Sequence, residues 1–176
     1  TGIDQLYGDH GDDILRGDAG LPGATGSQLG QRLFGGEGID YLYGYAPGIF
    51  ADADAQKNLI GDQLFGESGG DWLYGNFRRD VFVGGNGNDN IFGDWLAGGN
   101  YAVNPQAALV GSDDLMFGNS GEDQIFGGGG NDIMWGGADT DWLEGQNGND
   151  QMYGGEWIDI LVFDIFEKST NLPYPI

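Results

Sequence analysis

The chain has no cysteine, only six basic residues, a single histidine and no long apolar run, and each shortage closes a class of explanation. Without cysteine there is neither a disulfide framework nor a thiolate metal site. With so few basic residues nothing neutralises phosphates or an anionic lipid surface, so nucleic acid is excluded as a partner. No apolar stretch approaches the roughly 20 residues of a membrane span. No serine or cysteine stands in an identifiable nucleophile arrangement, and the carboxylates recur too evenly for a catalytic pair to be singled out, so the chain reads as non-catalytic. There is no signal-peptide pattern, and Thr1 opens in the middle of a repeating unit, which predicts a segment of a longer protein.

Glycine and acid are what the chain has in excess. Of 176 residues 37 are glycine, too many for an ordinary globular core, and 28 acidic residues against six basic ones leave a net charge of −22. Cations are the natural partner of such a chain, and in their absence self-repulsion keeps it expanded. Metal binding and folding are therefore expected to be linked.

The glycines are periodic. Gly66, Gly75, Gly84 and Gly93 stand nine residues apart, and so do Gly118, Gly127, Gly136, Gly145 and Gly154. Gly84-Gly85-Asn86-Gly87-Asn88-Asp89-Asn90-Ile91-Phe92 shows the unit in full: Gly-Gly-x-Gly-x-Asp-x-apolar-x. Position six is Asp4, Asp13, Asp40, Asp62, Asp71, Asp80, Asp89, Asp114, Asp123, Asp132, Asp141, Asp150 and Asp159, and fails at Gln31. Position eight is always apolar: Leu6, Leu15, Leu33, Leu42, Leu64, Leu73, Phe82, Ile91, Met116, Ile125, Met134, Leu143, Met152 and Leu161. Over nearly its whole length the chain resembles the RTX (repeats-in-toxin, hemolysin-type calcium-binding) family of nonapeptide repeats.

Glycines at positions one, two and four let positions one to six reverse the chain, leaving seven to nine as a short strand with position eight facing inward. Two units close one coil. The expected fold is all-β: a flattened, right-handed parallel β-roll of about seven 18-residue coils, roughly 34 Å long at a strand spacing of about 4.8 Å. Turns of the same parity stack, with carbonyls of positions one and three facing one neighbour and those of two and four the other. The position-six carboxylate closes both cages. An all-oxygen cage of roughly six ligands suits Ca²⁺ better than Mg²⁺, and zinc would want nitrogen or sulfur. The competing reading is that each aspartate only caps its turn by hydrogen bonding.

Three units are interrupted after position three, by residues 20–28, 47–59 and 96–111, and all three insertions leave the same edge. On that edge the fourth-position glycine gives way to Leu29, Ile60, Arg78 and Ser112 and returns at Gly130 and Gly148. The opposite edge is expected to carry a continuous calcium column through Gly8, His10 (by its carbonyl), Gly11, Asp13, Gly36, Gly38, Asp40, Gly69, Asp71, Gly85, Gly87, Asp89, Gly121, Asp123 and Asp141, with Asp139 and Trp157 as late departures at position four. The inserted edge is expected to bind metal near Gly128, Gly130, Asp132, Gly148 and Asp150. Arg78 or Arg79 either places a guanidinium where a calcium would sit, against Asp62 or Asp80, or is solvated.

Asn104-Pro105 and the residues to Leu109 read as a capped helical turn, and 51–57 as another. Asp52 and Asp54 suggest an EF-hand, but its glycine and closing glutamate are missing, so they read as solvated. Position nine is aromatic in ten of fourteen units, which predicts ladders on the outer sheet faces, either stabilising each sheet or docking a domain or sugar rings. Residues 1–162 then form the roll, and 163–176 cap its open end.

The resemblance implies a non-catalytic, calcium-binding module of a larger secreted bacterial protein, exported by a type I route and folding on calcium outside the cell. Its partners would be several Ca²⁺ ions and neighbouring domains of the parent. The alternative is a calcium-stabilised adhesin or polysaccharide-binding module at the cell surface, taking a carbohydrate on the aromatic ladder and the inserted loops.

Overall fold

The computed structural model describes residues 3–17, 30–44, 60–94 and 111–163. All of its regular elements are strands: β1 (Gln5–His10), β2 (Ile14–Arg16), β3 (Arg32–Glu37), β4 (Tyr41–Tyr43), β5 (Ile60–Ser68), β6 (Trp72–Tyr74), β7 (Arg79–Asn86), β8 (Asn90–Phe92), β9 (Leu115–Ser120), β10 (Gln124–Gly129), β11 (Ile133–Ala138), β12 (Trp142–Asn147), β13 (Gln151–Gly155) and β14 (Ile160–Val162). No helix occurs among the described residues. The helical turns expected at 51–57 and 104–109, the acids at 52 and 54, the insertions up to residue 110 and the capping segment beyond Phe163 lie outside them.

Odd strands form one seven-stranded sheet and even strands another, each in chain order and every pair parallel. This is a parallel β-roll. The three insertions all join an even strand to the next odd one (β2 to β3, β4 to β5, β8 to β9), so they share an edge. We call it the even edge, and the uninterrupted one the odd edge.

Register follows position eight. Leu6, Leu33, Leu64, Phe82, Met116, Met134 and Met152 pair in series in the odd sheet. Leu15, Leu42, Leu73, Ile91, Ile125, Leu143 and Leu161 do so in the even sheet. These two rows meet as the core, and from Leu33 to Leu143 every member is fully buried. Each such side chain contributes about 1.5–3 kcal/mol relative to exposure. Leu161, in the last described coil, is 37% exposed and pairs, among the described residues, with Leu143 on one side only.

Many strands are longer than the three residues the unit predicts. In β1, β3, β9, β10, β11 and β12 parallel pairing runs on into the first turn positions, as in Gly128↔Gln146 and Gly129↔Asn147. The reason is direct stacking: the turns lie over one another closely enough to exchange hydrogen bonds themselves. On the even edge, among the described residues, this happens only after β10 and β12. The β8–β10 pairing stops at Phe92↔Phe126, next to an insertion.

Position-nine rings stack face to face. Tyr7, Phe34 and Phe65 are 4.8 and 4.9 Å apart between centroids, Phe117, Trp135 and Tyr153 are 4.8 and 5.2 Å apart, and Tyr43, Tyr74, Phe92 and Phe126 follow at 4.8 to 5.1 Å. Val83 breaks the odd-sheet row between Phe65 and Phe117.

Candidate metal centre

Each regular turn holds positions two and four at positive φ, whatever the residue. Gly36 and Gly38 do so at 119° and 135°, but so do Asp9, Glu67, Asn119 and Gln146 at position two and Asp139 and Trp157 at position four, at 66° to 81°. Loss of glycine therefore does not unmake the turn, since the stacked neighbours impose its conformation. At Gly84 the need for glycine is steric: a Cβ there would overlap Asp89 Oδ2 and stand 2.9 Å from the Gly118 carbonyl oxygen.

Carbonyl directions alternate along the turn. The position-three carbonyls of Asn86 and Ser120 accept from Gly69 and Gly87 of the preceding coil, at 2.8 and 2.7 Å. The position-one carbonyl of Gly118 also points back, toward Gly84. Those at positions two and four, Glu67 and Gly69, point forward onto Gly85 and Gly87. The space between two stacked turns is thus lined by oxygen from both sides.

Position-six side chains close that space. On the odd edge Oδ1 of Asp40, Asp71, Asp89, Asp123, Asp141 and Asp159 each accepts the backbone N–H of the preceding position-six residue, from Asp13 to Asp141, at 2.8 to 3.1 Å. Such charge-assisted bonds are worth roughly 1.5–3 kcal/mol each. The even edge carries a ladder of the same form, in which Asp80, Asp114, Asp132 and Asp150 accept from Asp62, Asp80, Asp114 and Asp132. Gln31, the exception in sequence, keeps its rung: its Oε1 accepts Asp4 N–H at 2.7 Å, and its own N–H donates to Asp62.

The second oxygen has no such partner. Oδ2 of Asp13, Asp40, Asp71, Asp89, Asp123 and Asp141, and of Asp114 and Asp132 on the even edge, is buried with no hydrogen-bond donor. A native fold rarely leaves a buried carboxylate oxygen orphaned, and a bound cation would satisfy such a row. Burial pushes the metal-free carboxyls upward from 3.8: to about 6 for Asp71 and Asp141, about 7 for Asp89, and about 8 for Asp123 and Asp132. The backbone N–H each accepts only partly opposes this. Asp80, Asp94 and Asp114 are also raised well above the usual carboxylate value, by burial first and then by neighbouring charge: Asp62 beside Asp80, Asp132 and Asp80 beside Asp94, and Asp94, Asp80 and Asp132 beside Asp114.

Of the sequence candidates, Gly8, Gly11, Gly36, Gly38, Gly69, Gly85, Gly87 and Gly121 lie in the odd-edge turns with Asp13, Asp40, Asp71, Asp89, Asp123 and Asp141. Gly128, Gly130 and Gly148 lie in the regular even-edge turns with Asp132 and Asp150. The His10 imidazole points into solvent, 3.2 Å from Glu37 Oε2, leaving only its carbonyl for a metal. Among the described residues no three His, Asp or Glu side chains converge on one point. The donor set is backbone carbonyl plus carboxylate, which fits a hard cation such as Ca²⁺.

One acid escaped the position rules. Asp94 occupies position two, is 0% exposed, accepts Gly129 N–H at 2.8 Å through Oδ2 and leaves Oδ1 unpartnered. Its signal in sequence is an acid at position two at the mouth of an insertion, a pattern that Asp18 shares.

The profile of the RTX calcium-binding nonapeptide repeat (4 copies) matches residues 1–20, 25–46, 65–98, 110–143 and 126–161, well over half of the chain. No curated protein matches the sequence.

Proposed function

The chain belongs to the RTX calcium-binding nonapeptide repeat family, and we propose that it is a non-catalytic calcium-binding β-roll module of a larger secreted bacterial protein, folding when it meets calcium outside the cell. The observation that carries this reading is the row of buried, donorless Oδ2 atoms between carbonyl-lined turns. At low calcium a net charge of −22 opposes closure of the coils, and each carboxylate brought into the column is desolvated beside its neighbours. About eleven divalent ions would cancel that charge, so six to ten sites remove most of the repulsion as the coils close.

Calorimetric calcium titration with parallel circular dichroism tests this. Several ions should bind per chain as β signal appears, and EDTA should abolish both. The same β content in EDTA as in calcium would refute coupled folding.

A carbohydrate-binding role is the second reading, and one feature favours it: a groove of about 360 Å³ beside the odd edge, lined by Asn90, Glu122, Gln124, Thr140 and Trp142 among others. The aromatic ladder argues the other way. Its rings cover one another's faces at about 5 Å, so sugar stacking finds free faces only at row ends and breaks. Glycan binding in calcium that is lost in Trp142→Ala, with the fold intact, would favour this second reading.

A further inference from the structure

The even-edge turn Gly75–Asp80 differs from every regular turn in how its carboxylates are satisfied. Asn76 stands at position two, and its side-chain amide donates to Asp62 Oδ2 at 2.7 Å. Its backbone N–H donates to Asp80 Oδ2 at 2.6 Å. The two oxygens corresponding to the donorless row of the other turns are thus taken by protein donors. The backbone changes accordingly. Neither Asn76 nor Arg78 has the positive φ that positions two and four adopt in regular turns, and Asn76 Oδ1 instead accepts Arg78 N–H at 3.0 Å, closing the turn on itself.

The positive charge at this turn is also internal. Arg78 is 6% exposed and Phe77 2%, whereas Arg79 is exposed. A guanidinium held at that depth needs anionic neighbours, and Asp80 is near enough that the Arg78 charge opposes the upward push of burial on its carboxyl. The Asn76 side-chain amide therefore meets Asp62, its backbone N–H meets Asp80, and a buried cation lies within electrostatic reach of Asp80, all from within the chain.

We infer that this turn is a metal-free clasp, in which the Asn76 amide and the Arg78 guanidinium take the place and role that a calcium ion has in the regular turns. The inference rests on the calcium reading above. The clasp interrupts the even-edge metal column and ties Asp62 to Asp80 across adjacent coils without calcium. It also explains why the turn departs from consensus at positions two and four while keeping Gly75 and Asp80.

Counting calcium per chain by native mass spectrometry, at saturating calcium, tests the clasp. Asp80→Asn should leave the count unchanged, whereas Asp123→Asn on the odd edge should lower it by at least one. The double change Asn76→Gly with Arg78→Gly rewrites the turn as Gly-Gly-x-Gly-x-Asp and should add at least one ion. A count lowered equally by Asp80→Asn and Asp123→Asn overturns the clasp, as does an unchanged count in a double variant with the native circular dichroism spectrum. If that variant does not fold, the Asp80→Asn count decides. A wild-type chain that binds no calcium overturns the calcium reading instead, as does a count that Asp123→Asn leaves unchanged.

Discussion

Acid should do to the calcium-free chain part of what calcium does. Asp71, Asp89, Asp123, Asp132 and Asp141 have metal-free pKa values raised by burial from 3.8 to between about 6 and about 8. A carboxyl whose folded pKa exceeds its unfolded one contributes stability that is fully present below the unfolded value and is lost as pH rises through the folded one. The window here runs from about pH 4 to about pH 8. Each proton taken up on folding changes the folding constant about tenfold per pH unit, and allowing for solvent screening along the edges to leave two effective protons of the five gives about a hundredfold per unit. The assay is far-ultraviolet circular dichroism in EDTA from pH 7.5 to pH 5, with light scattering to verify solubility. β signal should grow as pH falls. In saturating calcium the sign reverses, because protons compete with the metal for the same oxygens, and stability should fall with pH. A soluble calcium-free chain that gains no β structure on acidification would refute the reasoning.

Two further pairs of substitutions separate coil stacking from core packing. Gly87 and Gly11 share positive φ, at 120° and 104°, but a Cβ on Gly87 would overlap the Gly69 carbonyl while one on Gly11 meets nothing within 4 Å. Gly11→Ala should cost about 1–2 kcal/mol and Gly87→Ala clearly more, read from denaturant unfolding in saturating calcium; equal costs would contradict the stacking geometry. Leu64→Ala, at a fully buried core position, should cost about 2–5 kcal/mol, and Leu161→Ala, at 37% exposure, should cost far less. Equal losses would show that position eight is not a graded core.

The two-sheet roll is legible in the sequence because one position in nine is never polar, and that row can face only inward. The edge assignment is legible for a similar reason: three insertions at the same phase of alternate units must leave one side. What the consensus misses are residues that keep a geometry while changing their chemistry. Gln31 breaks the aspartate rule, yet its amide oxygen accepts the same N–H. Asp139 and Trp157 break the glycine rule, yet stacking holds them at φ near 80°. Arg78 is the opposite case. Of the two arginines that the sequence left undivided, Arg78 is buried and Arg79 exposed, because the irregular backbone of their turn sets which side chain faces in. Strand length was legible only in part, since how far pairing continues into a turn depends on whether the adjacent coil carries an insertion.

The central claim is that stacked turns are calcium cages closed by position-six carboxylates. Anomalous diffraction from crystals grown in calcium tests it most directly, because it locates the ions themselves. Peaks should lie between successive odd-edge turns, beside Asp40, Asp71, Asp89, Asp123 and Asp141, and between the turns of Asp132 and Asp150, with none at Gly75–Asp80. A folded roll without ions between its odd-edge turns would contradict the account.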